Sequence, residues 1–444
     1  MSTNLRKGIF TEFAKYVSLN VLGMLGLSFY ILADTFFIAK GLGANGLTAL
    51  NLAIPIYSFI HGSGLMIGMG AGTKYSICRS QKNELEANRV FTNAIYLTGI
   101  FAALFVVLGC FLSGEIAAIL GAEGTVWEMT EIYLRVILLF SPAYLTNNLL
   151  LCFVRNDGAP QLSMTAMLAG SFSNIILDYI FIFPMGMGIF GAVLATGFAP
   201  VISMTILSLH FIRKKNQFHV EKCGLGIKRV CGILGSGIPS LVTELASGIV
   251  IIVFNVIIMN LEGNIGVAAY GVIANISLVI MAIYTGIAQG MQPILSSYYG
   301  AGNYLVIKKI LKYGIVTVLM LSAAIYLGIF LGAAEITSIF NSEGDLVLQK
   351  IAEEGLKLYF IACPFAGINI VLSIYFTSVE YSFPANLISL LRGFAVIIPM
   401  AFLLGKMAGM FGVWITFPVT EILVSLLAAG IYMKLRRKNI WLRS

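Results

Sequence analysis

Twelve long apolar stretches, separated by short polar or glycine-rich breaks, make up most of this chain. They run roughly over residues 13–39, 50–77, 90–112, 131–154, 162–184, 188–212, 234–259, 267–298, 312–333, 355–378, 386–404 and 409–433. A helix needs about 20 predominantly apolar residues to cross the hydrocarbon core of a bilayer, and each stretch is of that order. Of the 444 residues, 59% are hydrophobic and only 11% charged, against roughly 45–50% and about 25% in a soluble domain. That leaves too little polar surface for a soluble enzyme, a disordered scaffold or a disulfide-stapled secreted domain. The first stretch continues past Asp34, longer than the apolar core of a cleaved signal peptide and with no small-residue cleavage site at its end. It is expected to be the first span. The predicted fold class is an all-α integral membrane protein with twelve transmembrane helices.

The basic residues orient those helices. Arg6, Lys7 and Lys15 at the start, Lys74, Arg79, Lys82 and Arg89 in the second loop, Arg155, the sixth loop (Arg213, Lys214, Lys215, Lys222, Lys228, Arg229), Lys308, Lys309 and Lys312 in the eighth, and the tail (Lys434, Arg436, Arg437, Lys438, Arg443) all fall on one side. The opposite side holds only Lys40, Arg135, Lys350, Lys357 and Lys406, and is acidic at Glu115, Glu123, Glu128, Glu131, Glu335, Glu343, Asp345, Glu353 and Glu354. Positive residues stay cytoplasmic, so a multi-pass protein of the inner (plasma) membrane with both termini in the cytoplasm is expected. The net charge of +8 is then topological, and no nucleic-acid partner is needed to explain it. Six cysteines form no CxxC pair and no Cys/His cluster with metal spacing.

The longest basic loop, 213–233, divides the chain into two halves that resemble each other. An offset of about 220 residues carries Gly46 onto Gly266, Gly70 onto Gly290 and Asn83 onto Asn303, and Phe190-Gly191 onto Phe411-Gly412. Two six-span repeats in the same orientation are related by an axis along the membrane normal. The expected organisation is an N-terminal lobe 1–212, a cytoplasmic linker 213–233, a C-terminal lobe 234–433 and a basic tail 434–444, the pseudo-symmetric lobes enclosing a central cavity.

Gly41-Leu42-Gly43-Ala44-Asn45-Gly46 fits GxGxxG, but no strand precedes it and no acidic residue of a βαβ unit follows. It reads as the turn between spans 1 and 2. Gly64, Gly68 and Gly72 share one helical face, which permits close helix approach. His61, in the same span, reads as a hydrogen-bonded structural residue.

The informative residues are acids inside apolar stretches, because a charge at the bilayer centre costs at least about 2.5–3.5 kcal/mol and must face a cavity or a partner. These are Asp34, Asp178, Glu244 and Glu421; Arg392 lies within the eleventh stretch. Tyr30 shares a helical face with Asp34, Asn174 shares one with Asp178, and Thr196 adds a hydroxyl from span 6. Should spans 1, 5 and 6 meet, two carboxylates, an amide and a hydroxyl converge. Such a hard-oxygen set suits Na⁺, and it equally suits a shared proton, since two close carboxylates do not both ionise cheaply. At the offset positions the second half has Phe254 for Asp34 and Pro399 for Asp178, so the ion site is expected to be asymmetric.

These features resemble the multidrug and toxic compound extrusion family of transporters, bacterial type. The resemblance covers nearly the whole chain. It rests on Tyr30 through Asp34 in Leu32-Ala33-Asp34-Thr35-Phe36-Phe37, on Asn147-Asn148 with Arg155-Asn156-Asp157-Gly158, on Ser173-Asn174-Ile175-Ile176-Leu177-Asp178 with Gly191-Ala192-Val193-Leu194-Ala195-Thr196, and on Gln289-Gly290-Met291-Gln292-Pro293 running to Gly300-Ala301-Gly302-Asn303. It implies a secondary multidrug exporter that exchanges bulky cationic or aromatic compounds for H⁺ or Na⁺ by rocking alternating access. By the same resemblance the cation site comprises Asp34, Asn174, Asp178 and Thr196, with Tyr30 and Asn148 accessory. Glu244 is similar to a C-lobe acid of another subgroup, but no aspartate in span 10 completes that site. Family members often carry a proline near the start of span 1, where this chain has Ser18-Leu19-Asn20.

The chain is expected to need no cofactor beyond the coupling ion, to bind no structural metal, to act as a monomer and not to be an enzyme. The alternative reading is a lipid-linked oligosaccharide flippase of the related superfamily. Such a protein calls for a strongly basic cavity, whereas here the charges inside apolar stretches are mostly acids.

Overall fold

The computed structural model describes residues 3–341 and 344–438, with side chains from residue 8 to 437. Ser342, Glu343 and residues 439–444, with Arg443 of the basic tail, lie outside the described residues, as do the side chains of Arg6, Lys7 and Lys438.

The described chain is almost wholly helical. Eight continuous helical runs are long and apolar enough to cross a membrane. Three of them are two spans each, because Gly8–Ser80, Ile227–Gly300 and Ser382–Arg437 are broken at Gly43 (φ 66°, ψ −158°), Gly263 (φ 61°, ψ −150°) and Gly409 (φ 60°, ψ −140°). That corner of backbone space is essentially closed to residues with a Cβ. Gly43 is therefore the hinge of a tight helical turn, which accounts for the glycine-rich 41–46 segment. A further span is bent by 48° between Gly124–Leu139 and Ser141–Asn156. Pro142 stands in the first turn after that bend, where its missing N–H and its ring break the helical ladder. Counted this way the described residues form twelve spans, as the apolar pattern predicts.

The internal repeat is visible in the backbone. Glu84–Phe111 and Tyr304–Leu331 are both 28 residues long, and each is preceded by an asparagine of matching geometry, Asn83 (φ −96°, ψ 74°) and Asn303 (φ −93°, ψ 72°). Gly43 and Gly263 turn the chain alike, as each stands between the first and second spans of its half.

Packing gathers the described residues into two compact units. One is Ser18–Leu245; the other takes the residues before Ser18 and those from Ala246 onward. Within the first unit, a Cβ on Gly70 or Gly237 would collide with the backbone carbonyl of Ile233 or Met66. The early part of Ile227–Gly300 thus lies directly against the second span. In the second unit a Cβ on Gly290 would stand 2.8 Å from Val17 Cα and 2.9 Å from Tyr16 O. Phe10 and Phe13 also pack on Tyr313, and Tyr298 donates to Glu12 at 3.1 Å. The repeat-related glycines Gly70 and Gly290 do the same work in the two units.

The non-helical segment after Arg213 is bound closely to the first unit. Phe218 is fully buried among Tyr75, Phe91 and Phe153. Asp157 accepts from Tyr75 Oη (2.6 Å), from the Gln217 N–H (2.8 Å) and from His210 Nε2 (2.8 Å). Side chains of one helix face then receive successive backbone donors: Asn88 from His219, Thr92 from Glu221 and Asn93 from Gly226. Arg229 closes the series with a two-pronged contact to Glu86 at 2.6 and 2.9 Å.

Candidate cation site

Asp34 lies before the Gly43 turn, and Asn174 and Asp178 lie on Pro160–Ile182. Small residues let these helices approach. A Cβ on Gly23 would meet Met167 Sδ at 2.9 Å, and one on Gly26 would meet Leu168 Cδ2 at 2.6 Å. On the other side of Pro160–Ile182, Gly170 faces the Ala199 carbonyl on Gly188–Leu207 at 3.0 Å. Spans 1 and 5, and spans 5 and 6, are therefore neighbours, which is the condition for the four polar groups to meet.

They do meet. Asp34 is 6% exposed and Asp178 and Asn174 fully buried. The carboxyl groups of Asp34 and Asp178 lie within hydrogen-bond reach of each other, so a single proton can be held between them. With its amide oriented to suit both neighbours, Asn174 Nδ2 donates to Asp178 Oδ2 at 3.0 Å and its oxygen accepts from the Thr196 N–H at 3.2 Å. Thr196 Oγ1 donates to Ala192 O at 3.0 Å. Asp34 Oδ1 and Asp178 Oδ1 receive no hydrogen bond from a donor among the described residues. Two orphaned carboxyl oxygens beside an amide and a hydroxyl fit a proton or a small hard cation, because each buried polar atom left unmatched is costly.

An aromatic layer borders these acids, and little of it is evident from the sequence. Tyr30 and Tyr57 share a hydroxyl–hydroxyl bond of 2.7 Å. Tyr57 stands edge-on to Tyr144 and stacks on His61, and Tyr144 Oη donates to Thr196 O at 2.5 Å. Asn148, 3% exposed, donates to the His61 carbonyl at 3.2 Å and lies 3.2 Å from its Nδ1. The only sequence signal for Tyr57 was its spacing of four from His61, which puts both on one face.

Glu244 is partly buried in the same unit; its Cβ lies 3.0 Å from where a Cβ on Gly62 would stand. Gly62 follows His61 directly in the second span, so Glu244 lies beside the His61 end of that aromatic layer. The glycine face of the second span packs as expected, since side chains at Gly64, Gly68 or Gly72 would strike Asn148, Cys152 or Asn156. Arg155, read from sequence as a loop cation, is 2% exposed, and its Nη1 donates to Asn20 Oδ1 at 2.6 Å. Asn20, of the Ser18-Leu19-Asn20 stretch near the start of span 1, is therefore a partner of a buried arginine.

The MatE family profile matches residues 21–180 and 239–403, most of the chain and both halves of the repeat. The chain belongs to the MatE family. Among curated proteins, the multidrug export protein MepA of Staphylococcus saprophyticus is 26% identical over 418 residues, covering 94% of this chain and 92% of that protein. MepA of Staphylococcus aureus strain MSSA476 is 27% identical over 419 residues with the same coverage. Among solved structures, an aspartate-to-asparagine mutant of the Vibrio cholerae MATE transporter VcmN superposes with a TM-score of 0.90 at 22% identity, covering 99% of each chain. An outward-facing multidrug resistance MATE transporter gives 0.86 at 22% identity, over 94% of this chain and 93% of that one. A MOP superfamily transporter from Pyrococcus furiosus, described as having a binding pocket of reversed polarity, gives 0.87 at 22% identity, covering 94% and 93%. The MatE fold accounts for the twelve spans, and the relatives found are transporters.

Proposed function

We propose that this protein is a secondary multidrug exporter that exchanges bulky cationic or aromatic compounds for an inward-moving H⁺ or Na⁺. The observation that carries the reading is the meeting of Asp34 and Asp178, two buried carboxyl groups within hydrogen-bond reach and flanked by Asn174 and Thr196. The names of the MepA relatives support drug export.

The physical cycle follows from the acid pair. With neither proton nor metal ion between them, two carboxylates repel each other in a medium that screens poorly. A proton or Na⁺ placed between them cancels that repulsion. The packing of Pro160–Ile182 against the first span then has two preferred arrangements, one for each charge state. The ion shifts the balance only by its difference in affinity for the two arrangements, and that difference drives alternating access. The basic loops support an orientation with both termini in the cytoplasm of the cell whose plasma membrane holds the protein.

The test is transport of a fluorescent organic cation in proteoliposomes, with pH and Na⁺ gradients imposed separately. Saturable counterflow driven by one of the two is the expected result, and Asp34→Asn should abolish it. Wild-type coupled transport by that variant would refute the reading.

A further inference from the structure

The second half of the chain lacks counterparts of Asp34 and Asp178, yet it contains one acid more deeply buried than Asp34. Glu421, 1% exposed, lies on Ile397–Lys438. Its Oε1 accepts from Arg392 Nη2 at 2.8 Å and from Arg392 Nε at 3.1 Å. Asn369 Nδ2, from Cys363–Ser378, donates to Glu421 Oε2 at 2.7 Å and to the Glu421 backbone carbonyl at 2.9 Å. Ser425 donates to Asn369 Oδ1 at 3.0 Å, which fixes which end of the amide faces the acid. Arg392 occurs in a π-helical turn, Leu391–Ala395, between Ser382–Leu390 and Ile397–Lys438. Such turns are rare and frequent at functional sites.

We propose that Glu421 and Asn369 form a second cation site, selective for planar guanidinium-type cations, and that Arg392 is its tethered occupant. Three features distinguish this from an ordinary ion pair. The carboxylate is held by Asn369, and Asn369 by Ser425 and the Glu421 carbonyl, so the cradle does not depend on the guanidinium for its shape. The amide turns its N–H₂ toward the carboxylate and its oxygen to the Ser425 hydroxyl, so it offers no oxygen to a metal ion. The contact uses the guanidinium fork, Nε and Nη2 together, a geometry that neither a point charge nor an ammonium reproduces. The consequence for coupling rests on the function proposed above: the second half carries a fixed cation where the first half exchanges a mobile one, and exchange is confined to Asp34 and Asp178.

The experiment is thermal melting of purified Arg392→Ala protein in detergent, titrated with methylguanidinium chloride. Sodium chloride and tetramethylammonium chloride at the same concentrations serve as controls. Melting is read without transport, so the result stands whether or not Asp34 and Asp178 couple. The expected outcome is a lowered Tm that rises saturably with methylguanidinium by a few degrees. Neither control should reproduce the rise, and Arg392→Ala/Glu421→Gln should show none. No rise, or an equal rise in the double variant, overturns the proposal. Should Arg392→Ala be unrecoverable alone, its recovery on solubilisation with methylguanidinium supports the site. Its loss despite methylguanidinium, with the double variant recovered freely, overturns it.

Discussion

Asp34 and Asp178, carried by helices far apart in the sequence, bring their carboxyl groups within hydrogen-bond reach while both are buried. A pair of this kind is held together by what lies between the acids. In the function proposed above that is a proton or a cation, and the pair is where the charge state of the protein and its helix packing would be joined.

Replacing one member of that pair removes the repulsion that the ion relieves. Asp34→Asn and Asp178→Asn should each reduce coupled transport by at least about tenfold, the equivalent of about 1.4 kcal/mol. Substrate binding should survive in both. Dye counterflow and equilibrium dye binding, measured on the same preparations, check this.

The hydroxyl of Thr196 separates the two coupling ions. Thr196→Val keeps the shape and removes an oxygen that Na⁺ would coordinate, while a proton held between two carboxyl groups does not need it. If Na⁺ is the driver, transport should weaken by an amount equivalent to about 1–3 kcal/mol, the cost of leaving a buried polar partner unmatched. If H⁺ is the driver, the rate at fixed pH gradient should barely move. Proteoliposome rates under the two separate gradients distinguish the cases.

Gly70 and Gly290 occupy repeat-related positions where another chain segment leaves no room. A methyl group on Gly70 would strike the Ile233 carbonyl, and one on Gly290 would approach Val17 Cα and Tyr16 O within 3 Å. Both obstacles are backbone and cannot swing aside. Gly70→Ala and Gly290→Ala should each lower stability by about 1–3 kcal/mol, the usual cost of overpacking. Gly99→Ala, where nothing lies within 4 Å, should leave the Tm unchanged. Detergent melting curves of the three variants provide the comparison.

The link between Glu86 and Arg229 gives the docked segment a pH dependence. The hydrogen bond from Arg229 holds the Glu86 carboxyl below the usual carboxylate range. A group whose pKa is lowered on folding stabilises the fold above its unfolded value, near pH 4.3, and loses that contribution as the pH falls through its folded value. Both side chains are about a third exposed, so screening keeps the effect within roughly 1 kcal/mol. Backbone hydrogen exchange of residues 216–229 should be slow at neutral pH and accelerate on acidification below the carboxylate range. Glu86→Gln should be fast at both.

The amino-acid sequence determined what can be read locally. Membrane thickness sets the length of each apolar stretch, so the spans can be counted along the chain. A turn with φ near +60° admits glycine, so the glycine-rich 41–46 segment marks the first break, and the asparagines Asn83 and Asn303 mark the repeat. Asp34, Asn174, Asp178 and Thr196 stood out because hydrocarbon penalises such groups wherever they point. Tertiary structure decided which of them meet. Nothing in the local pattern fixes the rotation of one helix about its axis relative to another far away in the chain. That rotation is set by contacts such as Gly23 on Met167 and Gly26 on Leu168, and it brings Asp34 to Asp178. It also assembles Tyr30, Tyr57 and Tyr144 beside them, buries Arg155 against Asn20 and seats Arg392 on Glu421. Hydropathy is a property of each residue and survives in the sequence; complementarity between distant faces belongs to pairs of residues and exists only once the helices have packed.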